Sequence, residues 1–316
     1  MSFSKAALTP ILAKLAEQKI YLGTSSWKYP GWIGQLYSED RYLYRGKVAK
    51  TRFERHCLEE YAEVFKTVCV DAGYYRFPNE KYLAGLSHQV PEDFRFSFKV
   101  TDHITIKKFS KLPRFGDLAG KNNEHFLDAE LFKKAFLRPC ETIQSKVGVL
   151  IFEFSRFYSG QFDKGREFAG AMDTFLAKLP SDWQYGIEIR NESFLHPDYF
   201  SVLAAHNVAH VYNNWQKMPS VGEQLEIEGS RPANFTAARF LLTPGRNYNE
   251  AVDSFSPYNK TVQIDEEARS AGGKLIVSLT KSSAQQPSFI YLNNRLEGNA
   301  LNSLHAMIEK SRILPR

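Results

Sequence analysis

Eight short β-type runs alternate with helical patterns along nearly the whole chain, and this alternation constrains the fold more than any other feature of its 316 residues. The predicted strands are 20–25, 67–73, 94–100, 147–154, 185–190, 208–213, 237–243 and 289–293, each of ordinary strand length. Between the first two, Phe53, Cys57, Tyr61 and Phe65 recur every four residues along one helical face. Phe168, Met172, Phe175, Leu176 and Leu179 form a second such stripe between the fourth and fifth strands, and after the fifth Pro197 stands where a further helix should start. Residues 299–310 close the chain as a helix, 275–280 read as helix because the pattern needs one there, and Pro139 interrupts the helix before strand four. Residues 215–235, with two prolines and two glycines, read as a long loop after strand six. Parallel strands require right-handed helical crossovers, so eight β-then-α units predict an α/β protein built as one closed (β/α)8 TIM-type barrel. The barrel is expected over residues 19–310 as a single domain with long loops at its C-terminal face, and residues 1–18 as an N-terminal extension.

Several classes of function are excluded or disfavoured. No run of eighteen apolar residues is present, so a membrane-spanning helix is not expected. The opening segment has an apolar patch broken by Pro10 and Lys14 and no cleavage-site pattern, which predicts a cytoplasmic protein. Cys57, Cys69 and Cys140 are far apart without a CxxC pair, so neither a disulfide framework nor a structural zinc site is indicated. The glycine signatures of dinucleotide and P-loop nucleotide binding and the GxSxG nucleophile elbow are absent.

In a barrel, alternate strand residues point inward and the C-terminal strand ends carry the site. Ile187 and Ile189 must face the helices, which turns Glu188 and Arg190 inward. The same parity points Lys99, Cys69 and Asp71 inward, and puts Glu153 and Arg239 on the inner faces of strands four and seven. Asp71, Lys99, Glu153, Glu188, Arg190 and Arg239 are therefore expected to converge at one mouth, where charges are costly unless paired or liganded. Two readings follow. The charges form a self-satisfied plug of ion pairs, or they form an anion-binding site. In the second, Arg190 and Arg239 clamp a carboxylate or phosphate, while Glu188, Asp71 and Lys99 supply acid–base chemistry. Asn213, Asn293 and Asn294 would bond substrate hydroxyls, and Trp27, Tyr75 and Arg76, in loops over the mouth, would stack sugars or bases.

A divalent cation such as Mg²⁺ held by Asp71, Glu153 and Glu188 is less favoured, and no metal ligand is assigned. His210 lies within a strand, His103 in the loop after strand three, and Cys69 reads as a small core residue.

Six segments carry a family resemblance. They are GTSSWKYPGWIGQLY (residues 23–37), YAEVFKTVCVDAGYYRFP (61–78), FRFSFKV (94–100), the strand ending IFEFS, IEIRNESF (187–194) and YLNN (291–294). Together they resemble the DUF72 family over nearly the whole chain. The resemblance implies a closed α/β barrel and brings no activity with it. The chain departs from the family pattern in having Cys69 and Asp71 in place of a glutamate and an asparagine on strand two. Asn191 stands for a histidine after the strand-five arginine, and FLLTPGR follows Arg239 where a histidine is usual.

The leading expectation is an enzyme acting on a small anionic, phosphorylated or carboxylated, polyhydroxylated substrate. The alternatives are a nucleic-acid protein using the basic and aromatic stretch of residues 41–55, and a barrel that binds a ligand without catalysis. The formal charge of +6 favours anionic partners only weakly.

Overall fold

A computed structural model describes residues 3–282 and 286–312. Its centre is a closed barrel of eight parallel strands, each hydrogen-bonded to its neighbours in chain order, with the last strand returning to the first. The barrel strands are β1 (Ile20–Thr24), β2 (Thr67–Val70), β3 (Arg95–Lys99), β4 (Val147–Glu153), β5 (Gln184–Glu188), β6 (Ala209–Asn214), β7 (Thr236–Phe240) and β8 (Ser288–Leu292). All eight lie within the predicted runs or one residue from them, and the predicted TIM-type barrel is the fold observed.

Side-chain parity sorts the core into two parts. Phe96, Phe98, Phe152 and Ile187 point outward into the large shell between strands and helices. Cys69, Val149, Ile151, Val211, Ala237 and Tyr291 fill the lumen as a separate cluster. Within the lumen the Tyr291 hydroxyl donates to Ser97 at 2.6 Å, and Thr67 lies 2.8 Å from the same hydroxyl. This layer closes the barrel beneath the strand ends, so the lumen is a packed core rather than a pore.

Two elements differ from expectation. Residues 215–235 contain a helix, Val221–Glu226, started by a reciprocal capping box between Ser220 and Glu223. Pro139 does not interrupt its helix. The chain passes from Ala129–Leu131 through a π-helical segment at Phe132–Leu137 into Arg138–Glu141, and the wider turn accommodates the ring and its missing N–H. The N-terminal segment forms a helix, Lys5–Glu17, that buries Leu8, Leu12 and Leu15. Residues 275–280 are helical as predicted, the end of Glu266–Thr280. Among the described residues no helix is long and apolar enough to cross a membrane.

Candidate functional site

The strand ends bring all six ionisable side chains together. Glu153 and Glu188 are register partners on β4 and β5, Arg239 faces Asn213 across β6 and β7, and Lys99 ends β3. Asp71 lies one residue past β2, at the start of a short helical turn, Ala72–Tyr75. Gly73 in that turn rests on the end of β3, where a Cβ would come within 2.8 Å of the Lys99 carbonyl oxygen. Only glycine permits that approach, which sets Asp71 beside Lys99.

Arg239 is the hub. Its Nη1 donates to Glu188 at 2.7 Å and Glu153 at 3.0 Å, and its Nη2 reaches Asp71 at 3.3 Å. Arg190 pairs with Glu188 and, at 3.2 Å, with Glu153, and donates to the Asn213 side chain at 2.8 Å. Lys99 Nζ meets Glu153 at 2.9 Å. The guanidinium groups of Arg190 and Arg239, expected to clamp a ligand, are thus turned on the protein's own carboxylates. Three cations balance three anions.

Burial grades the network. Glu188 is fully buried and Arg239 is 2% exposed, whereas the side chain of Asp71 is 32% exposed. Burial pushes the Glu153 carboxyl up, but Lys99, Arg190 and Arg239 outweigh it and hold it far below the usual range. Burial likewise works against charge on Lys99 and Arg239, yet the surrounding carboxylates raise both. Burial pushes the Cys69 thiol up to about 12, which keeps it protonated among the lumen side chains.

Aromatic rings frame these charges. Trp215 covers the Arg190 guanidinium at 4.3 Å, and Tyr74 lies 3.9 Å from Lys99 Nζ. Tyr74 in turn packs edge-on against Tyr75, which is exposed. Asn293 and Asn294 are buried with their side-chain carbonyls accepting from Arg295 and Ala300 backbone N–H groups. Their amide nitrogens have no partner among the described residues. Trp27 is buried and borders a separate surface depression with Lys28 and Tyr82, and Arg76 borders another with Asn79 and Phe98. Neither is joined to the charged network by a hydrogen bond or ion pair among the described residues.

Among the described residues, no group of three or more His, Cys, Asp or Glu is arranged to hold a metal. Asp71, Glu153 and Glu188 each face a guanidinium or ammonium group instead. The basic stretch 41–55 forms a small hairpin, Leu43–Tyr44 with Lys47–Val48, followed by the helix Lys50–Ala62. Arg41 is engaged by Glu59 at 2.5 Å, and Tyr42 is buried rather than offered to a partner.

His210 has a structural role. It is 1% exposed, with Tyr199 and Gln224 each 3.1 Å from one ring nitrogen. Burial pushes its pKa down to about 4, with the Gln224 hydrogen bond only partly opposing. Above pH ~6.5 both folded and unfolded chains hold the ring neutral. Between ~6.5 and about 4 the unfolded chain takes up a proton that the folded one refuses, so stability falls by about 3 kcal/mol over that window. Denaturant unfolding at pH 7, 5.5 and 4 should show this loss, and His210→Gln should flatten it. An equal slope in both proteins would remove His210 as the cause.

Residues 21–315 match the family described as "Protein of unknown function DUF72". The chain belongs to the DUF72 family. It is 24% identical over 182 residues to the UPF0759 protein YecE of Escherichia coli strain K12, a match covering 58% of this chain and 50% of that protein. The chain therefore spans about half the length of the curated relatives it matches. Among solved structures, a DUF72 family protein from Enterococcus faecalis V583 superposes with a TM-score of 0.64 at 18% identity, covering 94% of this chain and 97% of that one. One from Thermotoga maritima MSB8 gives 0.60 at 17% identity, covering 93% and 98%. At that identity the likeness concerns the DUF72 fold and not the chemistry of the mouth.

The sequence did not single out Ser155, Arg114, Arg295 and Tyr248, which border the mouth. Ser155 lies beside Tyr74, Arg114 pairs with Asp102 at 2.7 Å, and Arg295 stacks on Tyr248 at 4.7 Å. Ser155 alone had a signal, since it continues the parity of Glu153 by two residues. The others come from loops, where no periodicity operates.

Proposed function

We propose that the chain is an enzyme that performs acid–base chemistry on a small, anionic, polyhydroxylated substrate at the barrel mouth. The observation that supports this most is the placement of six ionised side chains above a lumen already sealed by Tyr291 and aliphatic residues. A barrel needs only apolar layers to be packed. Exchanging a buried ion network for well-packed apolar groups is often neutral or stabilising. The network is therefore a cost to the fold that a function explains.

Within this reading the roles divide by exposure. Asp71, a third exposed and held through one oxygen by Arg239, is the proton acceptor or donor. Lys99, fixed between Glu153 and the Tyr74 ring, stabilises charge developing on a substrate oxygen. Glu188, fully buried, is a positioning residue that aligns both guanidinium groups. The buried amide of Asn293 supplies a donor for a hydroxyl.

Solvent deuterium tests the assignment. A panel of sugar phosphates and sugar acids incubated with the protein in D2O should contain at least one compound that the wild-type chain converts or labels, as followed by NMR. A panel that neither reacts nor raises the melting temperature would count against this reading.

A further inference from the structure

The mouth network is neutral, so it leaves no positive charge over for an anionic substrate. That charge lies beside it. The loops following β3 and β4 part to form an open cleft of about 910 Å³ lined by Lys107, Lys108, Arg114 and Arg156, with no Asp or Glu among its described lining residues. Lys107 is anchored by the Gln161 carbonyl and lies 3.6 Å from the Phe162 ring, and Arg114 is held by Asp102. Lys108 and Arg156 are exposed, and no ion pair engages either among the described residues. On the same lining, the Thr105 hydroxyl is buried and has no hydrogen-bond partner among the described residues. A buried hydroxyl is costly when unpaired, and it would donate a hydrogen bond to an anionic oxygen.

The cleft lies next to the mouth, with Tyr74 between the two. Ser155 lines it beside Tyr74, Arg114 sits 5.7 Å from the Tyr74 ring, and the same ring lies 3.9 Å from Lys99 Nζ. We propose that the cleft is a phosphate-binding subsite, that Lys108 and Arg156 determine specificity there, and that the substrate is a phosphorylated polyhydroxy compound. Three cations that no carboxylate pairs with among the described residues, Lys107, Lys108 and Arg156, suit a dianionic phosphoryl group better than a single carboxylate. The guanidinium groups offer planar forks to its oxygens. The phosphate site stands on the cleft's own geometry, and only the substrate's hydroxylated half rests on the acid–base reading of the mouth.

Calorimetric titration with inorganic pyrophosphate at low salt tests it on the full chain. Wild type should bind, and Lys108→Gln/Arg156→Gln should bind about tenfold or more weakly with an unchanged melting temperature, since both residues are exposed. Asp71→Asn should bind pyrophosphate as wild type does. No binding by wild type, or equal binding by the double variant, overturns the proposal. So does a single-stranded oligonucleotide that binds more tightly than pyrophosphate through the same two residues with a steep salt dependence, because the cleft would then serve nucleic acid. If pyrophosphate binding depends on Lys108 and Arg156 while no panel compound reacts, the phosphate subsite stands and the acid–base reading of the mouth falls.

Discussion

Replacing Arg239 by Met should destabilise the barrel by about 3–5 kcal/mol, the usual result of removing one partner from a buried ion pair. Arg239 is 2% exposed and touches all three carboxylates of the mouth. Without it Glu188, fully buried, keeps only Arg190 as a charge partner, and the network carries a net negative charge. A loss of that size is a large part of the 5–15 kcal/mol typical of a whole domain. Denaturant unfolding measures it. The companion Glu188→Gln/Arg239→Met should recover much of the loss, because the carboxylate most in need of the guanidinium is gone, and the cycle reads their coupling directly. An Arg239→Met protein as stable as wild type would mean that water reaches Glu188, contrary to its burial.

Asp71→Asn should act in the opposite manner, cutting turnover by about 10²- to 10⁴-fold while leaving the fold almost untouched. Asn keeps the shape and one acceptor oxygen but does not take up a proton at neutral pH. Its ion pair with Arg239 is long, at 3.3 Å, and a third exposed, so its loss should cost no more than about 1 kcal/mol. The rate of deuterium incorporation, compared with the melting temperature of the same variant, separates the two effects. Wild-type turnover by Asp71→Asn would move the acid–base role to another group. A variant that melts far below wild type would make Asp71 structural.

Side-chain parity makes much of this site legible in the sequence. Ile187 and Ile189 had to face the helices, and they do, which fixed Glu188 and Arg190 inside. The convergence of six charges followed from strand order alone. Which charge meets which did not follow, because pairing across the lumen depends on barrel stagger, and stagger leaves no period in the sequence. The sequence therefore leaves both the ion-paired plug and the open clamp standing, and in the structure Glu153 and Glu188 engage the cations. The basic cleft was invisible for a different reason. Lys107, Lys108 and Arg114 lie in the basic run KKFSKLPR, but only the fold brings Arg156 from the next loop beside it, whereas the run at 41–55 uses Arg41 on Glu59. The helix Val221–Glu226 was hidden inside a segment judged by its prolines and glycines, although Ser220 and Glu223 had the spacing of a capping box. The π-helical turn before Pro139 has no local signature at all.

The most direct measurement is a crystal structure of the protein with the panel compound that reacts or stabilises it most. The account predicts electron density at the barrel mouth, with a substrate hydroxyl or its carbon framework against Asp71 and Lys99 and the phosphate between Lys108 and Arg156. Density confined to another surface, with the six-charge network undisturbed and water alone over Asp71, would contradict it.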